Sequence, residues 1–337
     1  MGDVAMTVPV LRALVAQHPE VKITVVSRVF YKPIFKNIPN VNFFSAHLHH
    51  SHKGLLGLFR LYKDLKSKGV TEFADLHNVL RSKIIRTLFS FSGIKTGTVD
   101  KGRADKAALI RAENKIFKPL STMFERYVTV FEQLGFSIDL LNPVFPPKQK
   151  LDTEIVDLIG DNFVKLIGIA PFAQYDSKVY PLDLMQQVID KLASTKTHKF
   201  LLFGGGKKEI ELLDSISKDK ENVLVVAGQL KFKQELQLIS NLDVMLSMDS
   251  GNAHLAAMLG VKVITLWGAT HPFAGFSPFN QPIENALVSN RNLFPKLPTS
   301  VYGNKKVKGY EESMRTIPVE SVINKINSFL EDTNFTN

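Results

Sequence analysis

Residues 243–272 read Asp-Val-Met-Leu-Ser-Met-Asp-Ser-Gly-Asn-Ala-His-Leu-Ala-Ala-Met-Leu-Gly-Val-Lys-Val-Ile-Thr-Leu-Trp-Gly-Ala-Thr-His-Pro. Val244 to Ser247 is a short apolar run, Asp249, Ser250 and Gly251 are turn and cap formers, and Ala253 to Leu259 favours helix. Val261 to Leu266 is a second buried strand, closed by Gly268. The order is strand, helix, strand, the unit from which parallel α/β sheets are built.

In such a unit Asp249, Ser250, Gly251, Asn252 and His254 fall where a strand's carboxyl end meets a helix amino terminus. Free backbone N–H groups and the helix dipole favour an anion there, and glycine lets it come close. The same residues also read as an N-cap, Asp249 or Ser250, followed by an ordinary helical histidine. A second polar loop, Gly268 to His271, follows the next strand and should open on the same crevice, which favours a ligand site.

The pattern repeats upstream. Strands are expected at Lys165–Ala170, Lys199–Phe203 and Val223–Val226, alternating with helices near Leu182–Ala193, Lys207–Ser217 and Lys231–Asn241. Gly204-Gly205-Gly206-Lys207-Lys208-Glu209 is a glycine turn feeding a helix; it has neither P-loop nor GxGxxG spacing. Leu141 to Lys150, with Pro143, Pro146 and Pro147, reads as a linker, so domains are expected over 1–145 and 146–337. Val319 to Leu330 is amphipathic and helical.

The first half shows the same alternation: strands at Val21–Ser27, Val41–Phe44, Val70–Leu76 and Ile94–Val99, helices over 7–17, 55–68, 81–92 and 120–134. Gly2-Asp3 should be a loop ahead of the first helix, with no strand feeding it. The first 150 residues hold 23 of the 42 Lys and Arg but only 11 of the 32 Asp and Glu, so they carry +12 and the remainder −2 of the net +10. Such a half attracts nucleic acid, an anionic membrane or an acidic substrate; no nucleic-acid signature is present. Lys101, Arg103, Lys106 and Arg111 crowd a loop after a strand, and Arg81, Lys83 and Arg86 open a helix. They suit phosphorylated or carboxylated acceptors, or form a solvated basic face. His47, His49, His50 and His52 lack metal-site companions and read as a mobile polar loop. The absence of cysteine removes disulfides, thiolate metal sites and cysteine catalysis.

Asp249-Ser250-Gly251-x-x-His254 followed by Ala256-Ala257, then Leu266-x-Gly268-x-Thr270-x-Pro272, resembles the donor-binding region of the heptosyltransferase-like glycosyltransferases of family 9. Gly2, Asp3, Thr7, Pro9, Leu11 and Leu14 resemble the family's amino-terminal motif. The resemblance implies a GT-B fold, two Rossmann-like domains with parallel sheets facing a central cleft, and a terminal helix packing back. It implies inverting, metal-independent sugar transfer with no cofactor: Asp3 as base, Lys178, which precedes the Tyr180-Pro181 pair, on the donor diphosphate, and Asp249, Ser250, Gly251, Asn252 and His254 around it. Glu209 is carried over as a nucleotide contact, and Arg81, Lys101 and Arg103 fall on the acceptor side. The implied partners are a nucleotide-sugar donor, with ADP as the expected nucleotide, a lipopolysaccharide core or related glycolipid acceptor and an anionic membrane surface, with no nucleic acid, in the cytoplasm or peripheral to the inner membrane. In the family a first strand precedes the Gly-Asp pair; its loss would expose ladder groups and weaken the first domain. Rival readings are a nucleotide-sugar 2-epimerase of the same fold and a non-catalytic nucleotide-sugar or glycan-binding protein.

Overall fold

A computed structural model describes residues 1–331. The chain forms two compact units, one of Met1, Asp3–Arg103 and Ser121–Phe145, the other of Gly2, Ala104–Leu120 and residues 146 onward.

In the first unit the expected Gly2-Asp3 loop is helical. It forms α1 (Gly2–Ala5), in which the amides of Val4 and Ala5 donate to Met1 O, and α2 (Thr7–Gln17) follows. Asp3 sits in the first turn, where a carboxylate faces the positive end of the dipole, and this offsets the poor helix propensity of Gly2. Then come β1 (Ile23–Ser27), β2 (Val41–Ser45), α3 (Gly54–Lys66), β3 (Glu72–Asp75), α4 (Leu80–Phe91) and β4 (Lys95–Thr98). β1 pairs in parallel with β2 and β3 with β4, as two separate two-stranded sheets. Burial along β1 only alternates between half-buried and exposed. Leu58, Leu61, Tyr62 and Leu65 of α3 pack with Ile85 and Phe89 of α4. His52 is not in a free polar loop: it is buried, takes the His47 amide on Nδ1 and lies 3.2 Å from Asp64 Oδ2.

The basic segment expected as loop is instead largely α5 (Arg103–Ile110), which from Ala104 on belongs to the second unit. Lys106 is buried there with its ammonium 4.1 Å from the Phe276 ring centroid. The first unit is completed by α6 (Met123–Leu134), closed by a reciprocal Thr122/Glu125 capping box and by Gly135 at φ 103°. It lies against β3 and β4.

The second unit runs α7 (Thr153–Ile159), β5 (Leu166–Ala170), α8 (Leu182–Ala193), β6 (Lys199–Leu202), α9 (Lys207–Ser217), β7 (Val223–Val225), α10 (Phe232–Ile239), β8 (Val244–Met248), α11 (Gly251–Met258), β9 (Lys262–Trp267), β10 (Ala286–Val288) and α12 (Val319–Glu331). Its six strands are parallel in the order β10-β9-β8-β5-β6-β7. Every residue of β5 and β8 is buried, as strands covered on both faces must be. α12 packs on α8, β8 and β9. Strand order reverses between β5 and β8, so the loops leaving their carboxyl ends diverge and leave a crevice, the usual ligand position in an open α/β sheet.

Candidate active site

The two loops at that switch point meet through one side-chain cluster. Lys178, on a 3-10 turn after β5, places Nζ 2.9 Å from Asp249 Oδ2 at the end of β8. Thr270, after β9, donates its hydroxyl to the same oxygen at 2.8 Å. Asp249 is 8% exposed and Thr270 2%. A pair this dry is tolerated only when well hydrogen-bonded, and the threonine supplies that bond. The ammonium keeps further N–H donors for a ligand.

The backbone fixes the cluster. The Ala269 amide donates to Ser177 O at 3.0 Å, and Ser177 Oγ donates to Gly303 O at 2.7 Å. A Cβ on Gly268 would lie 2.4 Å from Ser177 O, and one on Gly303 (φ +85°) 2.4 Å from Lys178 Cδ. A side chain at Gly268 would press on the backbone of the loop that carries the lysine, and one at Gly303, strained in any case at that φ, on the lysine's own side chain.

Ser250 is the extended residue before α11, and its hydroxyl pairs with Ser247 Oγ at 3.0 Å instead of capping the helix. The first-turn amides, beginning at Gly251 and Asn252, belong to the end of a helix that attracts anions. His254 is buried one turn on. Glu209 braces its own turn, where its Oε2 accepts the Gly205 amide at 2.7 Å across the three glycines.

In the first unit, Asp3 is exposed. Burial and then Lys101 depress the His77 imidazole, with Asp3 and Asp75 opposing and Arg81 adding to the depression. Lys101 is lowered by burial and then by Arg103, with Asp3 again opposing. Asp3, Lys101, Arg81 and Arg103 therefore share one electrostatic neighbourhood. His77, which sequence reading gave no role, stands among them. It is presented by a turn in which buried Asp75 Oδ1 accepts the amides of His77 and Asn78, at 3.1 and 2.7 Å. The pattern Asp75-x-x-Asn78 was the signal for that turn, in which Asn78 takes φ 46°.

A second buried cluster lies beside Thr270. His271 Nδ1 accepts the Phe273 amide at 3.1 Å and meets the Phe117 ring edge-on at 5.0 Å. The Arg291 guanidinium lies 3.4 Å from that ring's centroid, and Lys115 Nζ donates to Leu109 O and Pro298 O, both at 2.8 Å. Burial, then Arg291 and Lys115, pushes His271 down to about 4. Burial and Arg291 bring Lys115 to about 8.

With α/β architecture and this cluster in view, likeness to known proteins gives the class. The sequence model of glycosyltransferase family 9 (heptosyltransferase) matches residues 58–308. The chain belongs to that family and is a glycosyltransferase of the GT-B fold class. It is similar to the lipopolysaccharide core heptosyltransferase OpsX of Haemophilus influenzae, 24% identical over 97% of this chain and 93% of that protein. Among solved structures, a family 9 glycosyl transferase from Veillonella parvula superposes with a TM-score of 0.72 at 19% identity, covering 98% of this chain and 95% of that one. The ADP-heptose lipopolysaccharide heptosyltransferase II of E. coli gives 0.68 at 20% identity, covering 98% and 96%.

Proposed function

We propose that the protein transfers a heptose from an ADP-linked donor to a lipopolysaccharide core acceptor, with inversion and without a metal ion. The observation that carries this reading is the Lys178–Asp249–Thr270 cluster beside the amino terminus of α11 in a family 9 chain. The departing ADP gains charge on its diphosphate as the sugar bond breaks. Lys178 and the amides at Gly251 and Asn252 meet that charge, the lysine aimed by Asp249 and Asp249 by Thr270. Asp3 takes the proton from the acceptor hydroxyl, whose oxygen attacks the anomeric carbon from the face opposite the leaving diphosphate. Lys101, Arg81 and Arg103 hold anionic groups of the acceptor, and its lipid portion brings the protein to an anionic membrane surface. Glu209 is left out of this assignment, because its carboxylate serves its own turn.

The test is ADP release from ADP-heptose in the presence and absence of lipopolysaccharide acceptor, with a chelator in a parallel reaction. The reading expects release that requires acceptor and survives the chelator. ADP-heptose bound without release, or converted to an altered free sugar, would instead favour a binding protein or an epimerase.

A further inference from the structure

Helix α3 has two apolar faces, and only one is used by the core. Leu58, Leu61, Tyr62 and Leu65 are buried against α4, whereas Leu55 is 73% exposed, Leu56 87% and Phe59 44%. At the start of α4, Leu80 is 75% exposed. Leu55 and Leu80 belong to the wall of one cavity of about 380 Å³, with Leu48, Leu58 and Ile84 also lining it and Lys53 and Arg81 among its polar residues. Exposed Arg60 and Lys63 continue the positive charge along α3. The acid of that helix, Asp64, is already paired with His52.

We propose that this face, the amino-terminal ends of α3 and α4, is the surface that docks on an anionic lipid bilayer, with Leu55, Leu56 and Leu80 entering the acyl region and the cations meeting phosphate. The inference rests on the reading of a lipid-linked acceptor and names the surface that reading requires. Exposed leucines beside lysine and arginine are the combination an interfacial helix uses. A second copy of this chain is a poorer occupant, because self-association would bring two basic faces together.

The experiment is co-sedimentation of the full chain with phosphatidylcholine vesicles, with and without phosphatidylglycerol. The variants are Leu55→Ser/Leu56→Ser and Lys53→Gln/Arg60→Gln, all exposed positions expected to melt with the wild type. The wild type should bind the anionic vesicles and not the neutral ones. Loss of the two leucines should weaken binding about tenfold or more, and each lost cation about fivefold. Unchanged binding by Leu55→Ser/Leu56→Ser, equal binding to neutral vesicles, or a lipid-free dimer dissolved by those substitutions would overturn the proposal. ADP release with a detergent-dispersed acceptor separates the two readings. If the leucine variant keeps release but loses vesicles, the surface stands; if the wild type binds vesicles through these leucines yet releases no ADP, the surface stands and the transfer reading falls.

Discussion

The two units solve the parallel-sheet problem to different degrees. β5 and β8 are buried at every residue within a six-stranded sheet, while β1 has one strand neighbour and leaves Val26 37% exposed. The Lys178–Asp249–Thr270 cluster grows from the fully covered strands. Asp3 and the Lys101 neighbourhood grow from a short helix and from turns on narrow sheets. A grip on a diphosphate benefits from a rigid frame, since small displacements weaken oriented donors. The difference teaches that the donor grip and the base proposed above rest on scaffolds of unequal burial.

The largest effect should come from breaking the buried pair. Asp249→Ala strands the Lys178 ammonium in a dry site and should destabilise the second unit by about 3–5 kcal/mol, read by urea denaturation; Asp249→Asn, which keeps a partner for Thr270, should lose less. A loss below about 1 kcal/mol for the alanine variant would remove the cluster from the frame.

Next, truncation should separate the sheets. Ile169→Ala in β5, at a fully buried position, should cost about 2–5 kcal/mol. Val26→Ala in β1 should stay within about 0.5 kcal/mol. Equal costs would erase the contrast between the units.

Acid sharpens it further. His271 titrates near 4 in the fold, below the value of about 6.5 for the unfolded chain. The folded state therefore binds fewer protons between those values. The stability this group contributes is complete above about pH 6.5 and is lost as pH falls through 4, roughly 3 kcal/mol in all. His271→Asn, whose side-chain oxygen can still accept the Phe273 amide, should remove that part of the acid sensitivity; an unchanged pH profile would place the sensitivity elsewhere.

Much of this was legible in residue order. Continuous apolar runs announced β5, β8 and β9, because a strand covered on both faces has no polar side. The polar run from Asp249 to Asn252 and the loops around it pointed to the start of α11 beside the switch point, where the structure puts those residues. What failed was local and physical. The basic residues from Lys101 to Arg111 suggested loop, yet Lys106, Ala108 and Leu109 are all buried on α5, the lysine with its ammonium over the Phe276 ring. Gly2-Asp3 suggested loop because Thr7 was read as the N-cap of the first helix; instead the Thr7 hydroxyl donates back to Val4 O and a helical turn precedes it. The partnership of Lys178 with Asp249 and Thr270 joins three loops distant in sequence, and no periodicity reports it. Residue order also gave no sign that the Glu209 carboxylate accepts the Gly205 amide of its own turn.

The most direct test of the account separates binding from turnover in the two units. ADP binding by calorimetry and acceptor-dependent ADP release should be measured for Asp3→Asn and Lys178→Ala. The account predicts that Asp3→Asn binds ADP as the wild type does while release falls about 10²- to 10⁴-fold, and that Lys178→Ala loses both. Full release by Asp3→Asn, or wild-type ADP affinity in Lys178→Ala, would contradict it.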